Sequence, residues 1–129
     1  MAGEAPRDGF TLAERDRRWA RLRALMAQQD LAFLVILPDR HLPGDARYVA
    51  LRPGAVVFPL EGEPTFLSPW TGHRTASNPW IADARPATET GTTAVPYGEA
   101  VGRRLRELNV GRRRGGVAGL SGTPLGPRA

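Results

Sequence analysis

Leu31-Ala32-Phe33-Leu34-Val35-Ile36-Leu37, closed by Pro38, is the longest unbroken apolar run in the chain. Seven apolar residues follow one another with no polar alternation, which suits a strand covered on both faces better than one with a wet side. The run is far below the ~20 residues a membrane span requires. A strand buried on both faces needs layers above and below it, which amphipathic helices can supply.

Upstream, Thr11 and Glu14 form a capping box, in which the hydroxyl and the carboxylate each satisfy an orphan backbone donor and so start a helix. Leu12, Trp19, Leu22, Leu25 and Met26 then recur at helical spacings as one apolar stripe, with Arg15, Arg17, Arg18, Arg21 and Arg23 on the remaining surface. Glu14 and Arg18 make an i,i+4 pair, and Gln28, Gln29 and Asp30 close the helix before the apolar run.

Downstream, the loop from Pro38 to Gly44 leads to Asp45-Ala46-Arg47-Tyr48-Val49, where Asp45 is placed to cap a short helical turn. Ala55-Val56-Val57-Phe58-Pro59-Leu60, the turn residues Glu61-Gly62-Glu63-Pro64, and Thr65-Phe66-Leu67-Ser68 read as an antiparallel strand pair. After an irregular stretch from Pro69 to Pro79, Trp80-Ile81-Ala82-Asp83-Ala84-Arg85-Pro86 is a further strand candidate, followed by a Thr- and Gly-containing loop to Pro96. Tyr97, Val101, Leu105 and Leu108 predict a second amphipathic helix over 98–108, with Asn109 as a left-handed cap. Gly115 to Leu120 reads as a short strand, and 121–129 carry no periodicity. The resulting order predicts an α/β domain with a mixed sheet, since the hairpin forces at least one antiparallel pair.

The chain of 129 residues is of single-domain size. With 41% apolar and 24% charged residues it has the composition of a globular chain, and its 27 glycines and prolines have no period, which excludes a collagen-like reading. Cysteine is absent, which removes disulfides, thiolate metal sites and cysteine nucleophiles. Residues 1–10 are expected to be a flexible lead. They hold no apolar h-region of a signal peptide, so a cytoplasmic location and no membrane contact are expected.

All 18 basic residues are arginine, against 13 acids, for a net charge of +5. The two halves differ: residues 1–64 carry nine arginines and nine acids, residues 65–129 nine arginines and four acids. The excess concentrates in 103–114, where Arg103, Arg104, Arg106, Arg112, Arg113 and Arg114 face the single acid Glu107. One reading is an anion- or nucleic-acid-binding module using residues 103–114, although no aromatic residue interleaves there to stack bases. The other is structural: three of the arginines occupy the C-terminal half of a helix, where cations meet the negative end of the dipole at ~0.3–1 kcal/mol each.

Signals for chemistry are sparse. His41 and His73 fall in separate loops and belong to no paired-histidine motif, so no metal ligand is assigned. Ser68, Ser77 and Ser121 sit in no nucleophile elbow, and the Gly111–Gly116 segment has arginines where a phosphate loop needs glycines and a lysine. Glu61 and Glu63 flank a turn and read as exposed. No catalytic, cofactor-binding or metal-binding residue is therefore assigned to the chain.

Taken together, Arg15-x-x-Arg18-Trp19-x-x-Leu22-Arg23-x-Leu25-Met26, the run Leu31 to Pro38, Asp45-Ala46-Arg47-Tyr48-Val49 and Ala55 to Thr65 with its Glu61-Gly62-Glu63-Pro64 turn resemble the N-terminal domain of the creatinase, prolidase and aminopeptidase P family of Xaa-Pro peptidases. The likeness runs from about Thr11 to Leu120. It departs after Arg47-Tyr48, where the family continues with a threonine-glycine and a longer loop, whereas Val49-Ala50-Leu51-Arg52-Pro53-Gly54 runs almost directly into the next strand.

The resemblance implies a three-layer α/β/α domain with a ribonuclease H-like mixed sheet, truncated at its C-terminal end within 11–129. It places catalysis in a separate pita-bread domain holding two divalent metal ions such as manganese or cobalt, and nothing of that domain is in this sequence. The implied role is non-catalytic: forming homodimer or higher oligomer contacts and shaping access to the metal site, with peptide substrates met only through the parent enzyme. His41, in the loop before Asp45, is the side chain that such a domain could project toward a catalytic site.

Overall fold

The computed structural model describes residues 11–38, 44–69, 76–87 and 97–118. The expected lead 1–10, both histidines, most of the loop before Tyr97 and the segment after Ala118 lie outside them. In chain order the elements are α1 (Leu12–Gln28), β1 (Phe33–Ile36), α2 (Gly44–Ala50), β2 (Ala55–Pro59), β3 (Thr65–Ser68), β4 (Asp83–Pro86), α3 (Tyr97–Glu107) and β5 (Gly115–Ala118). The strands form one mixed sheet in the order β4-β3-β2-β1-β5. β1, β2 and β3 are successively antiparallel, while β5 lies parallel to β1 and β4 parallel to β3.

The apolar run becomes the interior strand β1, paired on both sides. Its alternate residues serve opposite faces. Leu34 and Ile36 join Val56, Phe58 and Phe66 under α1 and α2, and Phe33, Val35 and Leu37 join Ala55, Val57 and Leu67 under α3. The continuous hydrophobicity is thus explained by helices on both faces of the sheet. Paired strand begins at Phe33, after the amide of Leu31 has closed α1 by donating to Met26 O (2.9 Å); Ala32 between them already bonds both neighbours, its amide donating to Arg114 O (2.8 Å) and its carbonyl accepting from Leu60 N (2.8 Å). Asp30 takes the left-handed conformation (φ 58°) at this helix end.

Helix α1 starts at the expected cap, with Glu14 N donating to Thr11 Oγ1 at 3.1 Å. The box is only half made. The Glu14 carboxylate accepts instead from Arg17 (Nη2, 2.6 Å) and Arg18 (Nε, 2.8 Å). The buried stripe is also narrower than the sequence predicts: Trp19, Leu22 and Met26 are buried, whereas Leu12 and Leu25 are exposed. Trp19 packs edge-on against Phe58, with centroids 5.7 Å apart.

The hairpin of β2 and β3 matches expectation, and its turn glycine, Gly62, has φ 99°. β4 is shorter than the expected strand from Trp80 because the Trp80 and Ile81 amides donate to Asn78 Oδ1 (2.8 and 3.0 Å) rather than to a sheet neighbour. Their side chains enter the core on the α1 side. α3 ends at Glu107, and Asn109 (φ 55°) is left-handed as expected. At β5, an added Cβ on Gly115 would lie 2.1 Å from the Phe33 ring, so any larger residue there requires that ring to move.

Candidate functional site

Two arginine systems and one helix terminus hold the polar chemistry of the described residues. The first system spans β3, β4 and α3. Thr65, 1% exposed although polar, donates through Oγ1 to Asp83 Oδ2 (2.7 Å) and accepts from Arg104 Nε (2.8 Å). Arg85 binds Asp83 through Nε (2.8 Å) and Glu107 through Nη1 (2.8 Å), and Arg104 Nη1 reaches Glu107 at 3.0 Å. Arg104 Nη2 lies 3.7 Å from Asp83. Two carboxylates and two guanidinium groups therefore form a neutral clasp that ties the edge strand β4 and the helix α3 to β3.

The electrostatics follow from that geometry. Burial pushes the Asp83 carboxyl up, but the bonds from Arg85 and Thr65 outweigh it and hold the group below its ordinary range. Bonds from Arg85 and Arg104 likewise hold Glu107 low, and the two carboxylates push the Arg85 pKa up. Each carboxylate of the clasp lies beside both guanidinium groups.

The second system is what remains of the arginine-rich window. The sequence treats its six arginines alike, but Arg104 belongs to the clasp and is only 17% exposed. Arg103, Arg106, Arg112, Arg113 and Arg114 are all exposed. Glu107, the one acid of the window, is held by Arg85 and Arg104. The helix-dipole explanation covers Arg104 and Arg106, which stand in the last turn of α3. It does not reach Arg112–Arg114, which follow the left-handed Gly111 (φ 57°) and lead into β5.

The helix terminus is that of α2, after which Leu51-Arg52-Pro53-Gly54 runs almost directly into β2. Its last carbonyls are taken by side chains from elsewhere: Arg18 Nη1 donates to Tyr48 O (3.0 Å), Trp19 Nε1 to Val49 O (2.9 Å) and Asn78 Nδ2 to Ala50 O (2.7 Å). Leu51 follows, buried and left-handed (φ 64°), a conformation that costs a branched, bulky residue. The Arg18 guanidinium lies over the Tyr48 ring (4.7 Å) and the Trp80 ring (5.4 Å), Arg15 over Trp19 (4.9 Å) and Arg23 over Phe58 (4.8 Å). These three arginines, which the helical pattern leaves on the polar surface, instead cover aromatic edges of the core.

His41 and His73 lie outside the described residues, so the structure places neither. Among the described residues no three His, Cys, Asp or Glu side chains come together as a metal site. Glu61 and Glu63 are exposed at their turn, Ser68 is buried and Ser77 exposed. No helix among the described residues is long and apolar enough to cross a membrane. Neither a protein-family model nor a curated protein matches the chain.

Proposed function

We propose that the chain is a non-catalytic domain of the kind that precedes the metal-binding domain in creatinase and Xaa-Pro peptidases, with a ribonuclease H-like sheet. The observation that carries this reading is the order in which the resembling segments assemble. The Arg-Trp helix α1 leads to β1, the Asp45-Ala46-Arg47-Tyr48 segment forms the short helix α2, and the Gly62-Glu63-Pro64 turn joins β2 to β3, all in one mixed sheet with helices on both faces. The interlocked α2 terminus adds support. Arg18, Trp19 and Tyr48, which belong to the resembling motifs, meet there, so the motif is a packing unit.

In this reading the domain acts by shape and contact. It forms subunit contacts in a homodimer or higher oligomer and walls the approach to a dinuclear manganese- or cobalt-type centre held by the parent's other domain, in the cytoplasm. The test is hydrolysis of Xaa-Pro dipeptides by the purified chain with added Mn²⁺ or Co²⁺. The expected result is no turnover above the metal-only blank; turnover that tracks the protein through purification would overturn the reading.

A further inference from the structure

We propose that the exposed arginines at the end of α3 form a contact site for the phosphate backbone of a nucleic acid. This inference is independent of the peptidase-domain reading. Its ground is a separation of charges that the sequence does not display. Arg104 and Glu107 are both withdrawn into the clasp with Asp83 and Arg85, which is neutral in itself. What stays on the surface is Arg103 and Arg106, three residues apart on α3, and Arg112, Arg113 and Arg114 in the lead to β5. Among the described residues none of these five has an ion pair. Outside the window 103–114 the chain is neutral, so its entire excess of +5 sits at one helix end and one strand start.

Five like charges within the twelve residues 103–114 repel one another. The helix dipole favours only those in the last turn of α3. Among the described residues nothing therefore meets the charge of three adjacent guanidinium groups, Arg112–Arg114. A polyanion supplies the missing counter-charge, and arginine's planar fork matches phosphate oxygens bidentately.

The surroundings select among polyanions. The site is flanked by Gly115 and Gly116, which present no side chain, and Leu105 and Leu108 pack into the core beneath α3. Among the described residues Val117 is the one exposed large apolar residue nearby. A stable membrane anchor needs an apolar face or a lipid in addition to cations, and base readout of single strands needs stacking aromatics. Cations without either fit sequence-independent contact with phosphates of a duplex.

The experiment is fluorescence anisotropy of a labelled mixed-sequence duplex of about 20 base pairs with the full chain, from about 50 to 200 mM NaCl. If all five arginines meet phosphates, log K falls with log salt at a slope of about −4.5, roughly a 500-fold loss over that range. Replacing Arg112, Arg113 and Arg114 together by Gln leaves two contacts, and the slope is expected to fall to about −1.8, roughly a tenfold loss. Arg17→Gln with Arg21→Gln removes comparable charge from the exposed side of α1 and is expected to leave the slope unchanged. Circular dichroism checks that each variant is folded; should the triple variant fail to fold, Arg103→Gln with Arg106→Gln is expected to lower the slope by about 1.8. No binding at low salt, a slope indifferent to the patch, or an equal loss from the α1 variant would overturn the site. So would chain binding to phosphatidylserine vesicles without binding to duplex, which would mark a membrane-facing patch instead.

Discussion

Arg104 and Arg103 are neighbours in sequence and identical in chemistry, yet the structure assigns them opposite consequences on replacement. Arg104→Met keeps the aliphatic stem and removes the guanidinium. The change breaks the bond from Nε to the buried Thr65 Oγ1 (2.8 Å) and the pair with Glu107 (3.0 Å). A hydrogen bond from a charged group is worth about 1.5–3 kcal/mol, and a half-exposed pair about 0.2–1 kcal/mol. Arg85 still holds Asp83 and Glu107, and Thr65 keeps its bond to Asp83, so no carboxylate is stranded. The expected loss is therefore near the lower part of that range, about 2 kcal/mol, or a fall in Tm of roughly 6–10 °C for a chain of this size. Arg103→Met, on an exposed position, is expected to stay within about 0.5 kcal/mol. Urea unfolding followed by tryptophan fluorescence reads both, since Trp19 and Trp80 are buried. Equal losses at the two positions would refute the division of the arginine window into a clasp and a surface patch.

The remaining perturbations probe the other parts of the structure. Trp19→Phe leaves Val49 O without its buried donor and is expected to cost about 1–3 kcal/mol, measured by the same urea titration. Gly54→Ala would place a Cβ 2.7 Å from Leu67 O and from the Phe66 ring at φ 157°, so a marked loss of Tm or of soluble yield is expected. Acid should weaken the fold in a defined direction. Asp83 and Glu107 titrate lower in the folded chain than in the unfolded one, so the unfolded chain takes up protons first as pH falls. Their contribution is complete above the ordinary carboxylate range of about 4 and is lost as pH drops through the lowered folded values. A Tm series from pH 7 to pH 3 is expected to flatten at its acid end in Asp83→Asn with Glu107→Gln relative to the parent chain.

Much of the architecture was legible because it rests on local signals. The uninterrupted run Leu31–Leu37 suited a strand covered on both faces, which the helices supply, and the Glu61–Pro64 turn signalled the β2–β3 pairing. Boundaries were less legible where a side chain competes for backbone groups. Asn78 takes the amides that would have begun β4 at Trp80, a decision made by a residue outside the apolar pattern. The arginines were the least legible of all. Periodicity sorts residues into apolar and polar faces, but Arg15, Arg18 and Arg23 have long stems and flat heads that lie over Trp19, Tyr48 and Phe58, so they belong to both. The Thr65–Asp83–Arg104 contacts join residues up to 39 positions apart, which no window along the chain can reveal.

The proposal that this domain serves a metallopeptidase is tested most directly by sequencing the natural transcript on the 3′ side of the codon for Ala129. The expected result is an open frame that continues into a domain with spaced Asp, Asp, His, Glu and Glu metal ligands. A frame that continues into an unrelated domain would contradict it.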